Sequence, residues 1–529
     1  MKEVLRAHIK PYIQPFERRL ALAELEAIAG AAPVPVGAPD SATIFNLPGD
    51  TAAETLQRRL AYWERIGRGA GEITVQTGLE ATSLIARNGV RLQDLPTTAS
   101  TLTSAKIPNK RCLRYGPHGV HEYRGKFFPQ LVRSLINIAG IPDGGLLADP
   151  MCGSGTSLVE GVARGICSVG LDLNPLSVFV TRVKCALLGM DPARLIAWYE
   201  RVLRLVGEAR PRRSTYRESL SVRDREYVEA WFDSAVLDEL DCIQDVIATV
   251  DDVVVRDFHR VVLSNILREV SFQKTDDLRV RRDPKQILPG VATRLFLNEL
   301  ESSTKAVVAY LAVGGCSAAS FKVLEHDARN ALLALEDCLG KVDAIVMSPP
   351  YATALPYLDT DRLSLSYLNL LPRAEHRSRD YFMIGNREVT ESQRRKQWER
   401  FKKAGAALPE STRALIEKVH CLNSSADVGF RRKNMAALLA SYFFDMQSVL
   451  QQIHVLLKDG GRAYLVVGNN RTTAGGEELE ISTALHLRAI AADLGFRVND
   501  PVSMDMLMSR DIFRKNAMPS EEIISLSKI

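Results

Sequence analysis

The sequence contains no CxxC pair among its eight cysteines, which are scattered from Cys112 to Cys421. This spacing excludes a zinc ribbon and a disulfide framework, and it is typical of a reducing compartment. The sequence also lacks a signal-peptide core at its N-terminus and any run of 18 apolar residues. We therefore expect a soluble, cytoplasmic protein with no membrane partner. The sequence also has little excess of charge of either sign, because 68 basic and 63 acidic residues leave a net charge of only +5. A nucleic-acid-binding surface would have to be local.

A chain of 529 residues is too long for one ordinary compact domain. Residues 1–105 are rich in Ala, Leu and Glu with helical spacing, notably at 20–30 and 52–66, and residues 33–39 have the proline content of a linker. They predict a separate, mainly helical N-terminal appendage. We find no residues in it that indicate chemistry.

The pattern then alternates between strand and helix. Residues 106–189 predict the first part of an α/β domain, and 190–318 predict a helical insertion that has room for substrate recognition. Residues 319–529 predict the second part of the domain, with an irregular basic stretch at 372–435 and closing strands near 497–503 and 506–513. The fold class is therefore α/β, a Rossmann-like, three-layer domain with a doubly wound sheet.

The strongest local signal is the run DPMCGSGT at residues 149–156, directly after a short apolar strand and directly before a helix. Gly153 and Gly155 allow a tight turn and close approach of a ligand, and the helix offers its first amides to a polar group. About twenty residues later, Asp172 ends the next strand, where an acid accepts hydrogen bonds from ribose hydroxyls. The loop lacks the third glycine of a dinucleotide site, and Asp149 would repel a pyrophosphate. A cationic nucleoside such as S-adenosylmethionine would be attracted by that acid.

The second signal is Ser348-Pro349-Pro350-Tyr351, which follows the predicted strand 343–347. Two consecutive prolines stiffen the backbone and remove two N–H donors, so the segment presents carbonyl acceptors in a fixed direction. A carbonyl and the Ser348 side chain are suited to accept both hydrogens of an exocyclic amine. Tyr351 offers a flat face on which an extruded base can stack.

Together, DPMCGSGT and SPPY resemble the amino-methyltransferases of DNA, which methylate adenine N6 or cytosine N4, and SPPY is similar to the cytosine-N4 variety. The resemblance covers about 115–188 and 320–513 and departs from the family at Met151, where phenylalanine is usual, and in its long interruptions. Further similar segments are HEYRGKFFP at 121–129, EHD at 325–327, ATALPYLDTD at 352–361, IGNR at 384–387 and VGNN at 467–470.

The resemblance implies a Rossmann-like fold, S-adenosyl-L-methionine as cofactor and DNA as partner, with association with the nucleoid and room for a restriction or defence partner. It implies that Ser348, Pro349, Pro350 and Tyr351 act on the target base. The cofactor residues that it implies are Lys126, Phe127, Pro129, Asp149, Pro150, Met151, Gly153, Ser154, Gly155, Thr156, Asp172, Leu173, Asn174 and Asp327.

Other chemistries fit less well. No cysteine follows a proline, as the nucleophile of carbon-5 methylation usually does, and the isolated His118 and His121 do not form a metal-ligand cluster. Gly125-Lys126 lacks the rest of a phosphate-binding loop. Three alternatives stay open: adenine N6 in DNA, guanine N2 in tRNA, and a non-catalytic binding protein with the cofactor fold. Tyr381, Phe382 and Trp398 lie among ten Lys/Arg and five Asp/Glu at 373–403, a composition suited to phosphate contacts or to a solvated helical face.

Overall fold

The computed structural model describes residues 4–48, 52–86, 89–123, 127–211, 214–274, 281–352, 357–386, 389–425, 427–505 and 517–529. None of the helices in these ranges combines the length and the apolar composition of a membrane span. Short 3-10 turns lie at Leu92–Asp94, Gly116–Gly119, Ala328–Asn330, Glu336–Cys338 and Gly405–Ala407.

The N-terminal part holds four helices, as predicted, and also a five-stranded antiparallel sheet that was not predicted. Its strands, in the order β2-β3-β1-β4-β5, are β1 (Arg6–Ile9), β2 (Val34–Pro35), β3 (Ile44–Asn46), β4 (Trp63–Gly67) and β5 (Glu72–Ile73). Its helices are α1 (Pro15–Ala29), α2 (Ala53–Arg59), α3 (Val75–Ile85) and α4 (Leu95–Ala105).

The helix predicted over 52–66 is wrong in its second half, and the predicted linker contains β2. Trp63 begins β4, is fully buried, and donates its indole N–H to the carbonyl of Ala21 at 3.1 Å. Strands of two to five residues are too short to show an alternating pattern, so tertiary pairing decides them. The N-terminal part does not stand apart either: Leu20 and Leu25 of α1 belong to the same hydrophobic cluster as Val346 of the main sheet.

The main sheet has the predicted α/β architecture. Its described strands are β6 (Leu146–Asp149), β7 (Cys167–Asp172), β8 (Phe321–Glu325), β9 (Val342–Met347), β10 (Leu457–Ala474), β11 (Glu477–Ile481), β12 (Phe496–Val498), β13 (Val502–Asp505) and β14 (Ala517–Lys528). The order is β12-β14-β10-β9-β6-β7-β8, with β11 on β10 and β13 on β14. Strands β6 to β10 are parallel and β14 is antiparallel to β10. The strand predicted near 506–513 lies outside the described ranges.

Side chains alternate between the two faces of β9, so the sheet is covered on both sides. Ala344 and Val346 pack towards α1 and α5 (Pro129–Ala139), whereas Ile345 and Met347 pack towards α20 (Met435–Leu456) and α21 (Thr483–Asp493). Helices α6 (Thr156–Ala163) and α7 (Pro175–Leu187) follow β6 and β7. This is the predicted three-layer, Rossmann-like fold.

The region between α7 and β8 is helical, as the sequence predicts. It contains α8 (Pro192–Glu208), α9 (Thr215–Ser219), α10 (Val222–Trp231), α11 (Ser234–Ala248), α12 (Val253–Leu267) and α13 (Val291–Gly314), and the short α14 (Ala331–Ala334) follows β8. This insertion contacts α15 (Tyr357–Tyr367), the helix after the SPPY segment. The amide of Arg373 donates to Asp224 at 2.9 Å and Arg260 donates to the carbonyl of Leu368 at 2.8 Å.

The stretch 372–435, predicted to be irregular, is largely helical where described. It forms α16 (His376–Phe382), α17 (Glu391–Ala404), α18 (Glu410–Ser424) and α19 (Phe430–Lys433). Helix α17 contains few apolar residues, so its sequence shows little of the apolar periodicity that predicts a helix. A capping box between Thr390 and Gln393 stabilises its start, and Phe401 is buried. Local hydrogen bonding and packing on α20 therefore stabilise a helix whose apolar periodicity is weak.

Candidate active site

The DPMCGSGT turn joins β6 to α6 and depends on both glycines. Gly153 has φ +50° and Gly155, the N-cap of α6, has φ +80°. A Cβ at Gly155 would lie 2.5 Å from Cγ2 of Thr181, and one at Gly153 would lie 3.2 Å from the ring of Tyr123. Thr181 also donates to the carbonyl of Gly153 at 2.8 Å. The turn is therefore both left-handed and closely packed, which leaves little room for a side chain at either glycine.

Asp172 lies at the end of β7, beside this turn. Its carboxylate accepts hydrogen bonds from the amides of Gly153 at 2.9 Å and Asn174 at 2.8 Å. Burial raises the pKa of Asp172 to about 6, and the amide bonds oppose that rise. A carboxylate oxygen accepts more than one hydrogen bond, so Asp172 can hold the turn and still accept from a ligand hydroxyl. The predicted ribose contact is consistent with this position.

Asp149 is 1% exposed and lies at the end of β6. Its Oδ1 accepts from the amide of Met151 at 3.1 Å, while its Oδ2 has no hydrogen-bond partner among the described residues. The buried Oγ of Ser154 has none either. Buried polar atoms are usually satisfied in native proteins. The Ser154 oxygen is suited to a ligand that carries donors, and the Asp149 carboxylate beneath the turn is suited to a nearby positive charge, so the site fits S-adenosylmethionine.

An open cavity connects the two motifs. The predicted site residues that line it are Phe127, Pro150, Met151, Gly153, Ser154, Thr156, Asp172, Leu173, Asp327, Ser348 and Pro350. The lining residues that were not predicted are Tyr123, Cys152, His326, Ala328, Met383 and Ile384. The cofactor motif and the SPPY motif thus share one cavity.

The remaining predicted residues lie outside this lining. Pro129 begins α5, Asp149 and Gly155 lie beneath the turn, and Pro349 is buried. Asn174 caps α7 and donates to Asp361 of α15 at 2.8 Å, which links the cofactor turn to the helix after SPPY. Lys126 lies outside the described residues. The side chains that the structure describes here support the cavity wall without lining it. A sequence motif does not distinguish a residue that lines a cavity from one that supports its wall.

Asp327 lines the cavity, and its carboxylate already has a partner. Arg329 donates to Oδ2 of Asp327 at 2.6 Å and forms an ion pair with Asp445 of α20 at 3.2 Å. The same arginine donates to the carbonyl of Phe382 at 2.8 Å, just before Met383 and Ile384 enter the lining. Asp327 therefore lines the cavity while its carboxylate forms an ion pair with Arg329. Met383 and Ile384 were missed because they lie far along the chain from either motif, although IGNR at 384–387 was noted.

The SPPY segment follows β9, and its hydrogen bonds fix the orientation of its polar groups. Ser348 donates its hydroxyl hydrogen to the carbonyl of Val466 in β10 at 3.0 Å. Its lone pairs are therefore the part of this hydroxyl that remains for a ligand. The carbonyl of Pro350 accepts from Tyr442 of α20 at 2.9 Å. The sequence predicts two acceptors for an amine, a carbonyl and the Ser348 hydroxyl. The Pro350 carbonyl already accepts a hydrogen bond, whereas the Ser348 oxygen has given away its hydrogen and keeps its lone pairs for a ligand.

Tyr351 lies outside the cavity lining and packs against β10 and β14. A Cβ at Gly468 would lie 2.7 Å from its ring, so the absence of a side chain there makes room for the tyrosine. The Tyr351 hydroxyl donates to Glu521, which lies opposite Gly468 in the sheet register. Burial raises the pKa of Glu521, and the bond from Tyr351 opposes that rise. Gly468 and Glu521 together fix the ring. Gly468 belongs to the VGNN segment at 467–470, whereas no sequence motif includes Glu521.

We expect the affinity for S-adenosylmethionine to rise about tenfold between pH 5.5 and 7.5. Burial raises the pKa of Asp149 to about 7, and the bond from the Met151 amide opposes that rise. Raising the pH removes the proton from Asp149, and the resulting carboxylate attracts the cofactor's positive charge. Isothermal titration calorimetry at both pH values measures the change, and Asp149→Asn should bind more weakly with a flatter pH dependence. Affinity that is constant or falls with pH would contradict this role.

His118, one of the two histidines considered as metal ligands, lies in a buried ion-pair cluster. His118 is buried and shares Glu160 with Arg133, with N–O distances of 2.8 Å to each. Arg133 and His118 lower the pKa of Glu160 to about 2, although burial works in the opposite direction. In the described ranges, no group of three or more His, Cys, Asp or Glu side chains is placed to hold a metal ion.

Comparisons with known proteins show similarity to methyltransferases. A family model described as an RMKL-like methyltransferase domain matches residues 120–173, which contain the cofactor turn. The type II methyltransferase M.MvaI of Kocuria varians is 27% identical over 270 residues, which are 48% of this chain and 58% of that protein. M.BsoBI of Geobacillus stearothermophilus is 23% identical over 48% of this chain and 53% of its own length.

A third relative acts on RNA by its name. The tRNA (guanine(10)-N2)-dimethyltransferase of Methanothermobacter thermautotrophicus is 34% identical over 83 residues, 16% of this chain and 25% of that protein. The aligned regions thus span little more than half the length of the two type II methyltransferases. These matches confirm the resemblance that the two motifs carry, and they relate the chain to the DNA methyltransferase family.

Proposed function

We propose that the protein transfers a methyl group from S-adenosylmethionine to the exocyclic amino group of a base in DNA, with cytosine N4 as the target. The observation that carries this proposal is the shared cavity, in which Ser348 and Pro350 line the same space as Gly153 and Asp172. Methyl transfer requires the acceptor and the donor to meet within one site. The type II methyltransferases among the relatives support DNA as the substrate.

The residues of the SPPY segment would hold the amine. Because Ser348 gives its own hydrogen to Val466, its oxygen can accept one N–H of the target amine and draw electron density onto the nitrogen. Bound S-adenosylmethionine would supply a methyl group on a positively charged sulfur. The amine nitrogen gains that methyl group as the bond from the methyl carbon to sulfur breaks, the sulfur keeps the electron pair, and the nitrogen then releases one proton to solvent. Positioning and exclusion of water suffice, so the scheme needs no covalent enzyme intermediate.

A duplex substrate must release its base from the stack, at a cost of a few kcal/mol. Tyr351 has the flat ring that can receive such a base, and Gly468 and Glu521 hold that ring in place. The same pocket chemistry would serve adenine N6, which is why the choice of cytosine rests on Ser348 and the SPPY resemblance. Intact Ser348 and Tyr351 favour catalysis over a non-catalytic role.

A second candidate is methylation of guanine N2 in tRNA, which the match to the tRNA dimethyltransferase favours. Enzymes of that kind typically carry an aspartate before the double proline, and this chain has Ser348 there. A serine hydroxyl is neutral, whereas an aspartate brings a full negative charge to the amine. We therefore place DNA first.

Nucleoside mass spectrometry tests the proposal. DNA and tRNA are isolated from cells that express the wild-type protein or a Ser348→Ala/Tyr351→Ala variant, and both are digested to nucleosides. We expect N4-methylcytosine in DNA from wild-type cells alone. Methylguanine in tRNA would show that the substrate is tRNA and not DNA, and it would retain methyl transfer as the reaction. The absence of any new base, with cofactor binding intact, would overturn the proposed activity.

A further inference from the structure

Positive charge exceeds negative charge in a few segments of this chain, among them 210–225, 279–285 and 373–403, and the last of these contains most of α17. Residues 373–403 contain ten Lys/Arg and five Asp/Glu, a local excess of five, and the whole chain has a net charge of +5. The remaining residues are therefore neutral in sum. A solvated surface needs no such excess, because mixed charges keep a protein soluble. The local excess indicates that this segment faces a negatively charged partner.

Within the segment, α17 presents the charge to solvent. Arg395, Lys396, Arg400 and Lys403 are all exposed and line one shallow face of the helix, which they share with Glu391 and Glu399. Arg395 is paired with Glu391 at 2.5 Å, but Lys396 and Lys403 form no ion pair with the described residues. The two unpaired lysines are seven residues apart, about 10 Å along a helix. A strand of duplex presents about three phosphates over that length.

The same segment reaches the cavity. Ile384 lines the cavity, and α17 begins seven residues later at Glu391, so this face starts within about 25 Å of the cavity wall. Helix α17 packs on α20, where Arg400 covers the ring of Phe444 at 4.6 Å and lies 3.9 Å from Asp445. Its charged face is therefore held against the body of the domain and does not extend on a free loop.

We propose that this face of α17, centred on Lys396, Arg400 and Lys403, binds the phosphate backbone of the DNA duplex whose target base enters the cavity. The inference rests on the proposed function for its partner and adds where the duplex is held. Contacts of this kind position a duplex without reading its sequence. They also release counterions, so binding must weaken steeply with salt.

The salt dependence of binding tests this surface. The probe is a fluorescently labelled 30-bp DNA duplex of mixed sequence, titrated with protein between 50 and 200 mM NaCl. We expect a Lys396→Gln/Lys403→Gln variant to bind at least tenfold more weakly at 50 mM NaCl. The slope of log K against log[NaCl] should become shallower by about 2, as expected for two lost phosphate contacts. Its affinity for S-adenosylmethionine should equal that of the wild type.

The matched control is Arg68→Gln/Lys106→Gln, which removes two exposed positive charges from the N-terminal part. It should leave both the affinity and the slope unchanged. Wild-type affinity and slope in the α17 variant, an equal loss in the control, or a wild-type protein without salt-dependent duplex binding would each overturn the inference. Nucleoside mass spectrometry tests the methylation reaction separately. If duplex binding depends on α17 but no methylated base is made, the binding surface is supported and the proposed activity is rejected.

Discussion

Replacing Gly155 with alanine is expected to lower the free energy of unfolding by about 2–5 kcal/mol and to abolish measurable cofactor binding. An alanine at φ +80° costs about 1–2 kcal/mol in the left-handed region. Its Cβ would also lie 2.5 Å from Thr181, and overpacking of this kind costs about 1–3 kcal/mol. The turn would have to move away from Asp172, whose bond to Gly153 aligns it. Urea denaturation and calorimetric titration with S-adenosylmethionine measure the two effects.

Gly165→Ala provides the matched control, because Gly165 has φ +76° and open space around its Cβ position. It should lose only about 1–2 kcal/mol, the cost of the backbone conformation alone. It should bind the cofactor normally. Equal losses for the two variants would show that the contact with Thr181 contributes nothing.

The second large effect is expected from Gly468→Ala, which should lower kcat about 100-fold while the affinity for S-adenosylmethionine stays within twofold. The backbone at Gly468 is not in the left-handed region, so alanine adds no strain of its own. Its Cβ would lie 2.7 Å from the Tyr351 ring and displace it. Displacing a positioning group by about 1 Å can cost about 100-fold in rate. Tyr351→Ala should lose much of the activity with cofactor binding nearly intact.

The double variant Gly468→Ala/Tyr351→Ala distinguishes displacement of the ring from general damage. Without the ring there is nothing to displace, so we expect the double variant to be no slower than Tyr351→Ala, a non-additive result. Tyr351→Phe keeps the ring and removes its bond to Glu521, so it reports on that bond alone. Additive losses would show that Gly468 acts through something other than Tyr351. Reduced cofactor affinity in Tyr351→Ala would contradict the division of roles between the two motifs.

The sequence predicted best where a local pattern has a single physical meaning. The apolar strands β6, β7 and β9 alternate with helices, and each is followed by a polar segment at its carboxyl end. Parallel strands place those ends at the same edge of a sheet. DPMCGSGT, Asp172 and SPPY were therefore expected to meet, and the cavity brings them together.

Prediction was poorer where distant partners decide the structure. The short N-terminal strands exist because they pair with one another, and β4 replaces the second half of a predicted helix for that reason. Helix α17 has few apolar residues in its sequence and packs on α20. Strand β14 is antiparallel to β10 and was missed, although its residue Glu521 fixes Tyr351.

By itself, the sequence determined the class of fold and the local backbone of the glycine turn after β6 and of the SPPY segment after β9. Glycine placement, strand ends and consecutive prolines restrict the backbone locally, whatever surrounds them. Only the tertiary structure decided that Ser348 turns its hydrogen to Val466, that Gly468 makes room for Tyr351, and that Met383 and Ile384 complete the cavity. These are contacts between residues far apart in the chain, and their partners are set by packing and hydrogen bonding that no local pattern encodes.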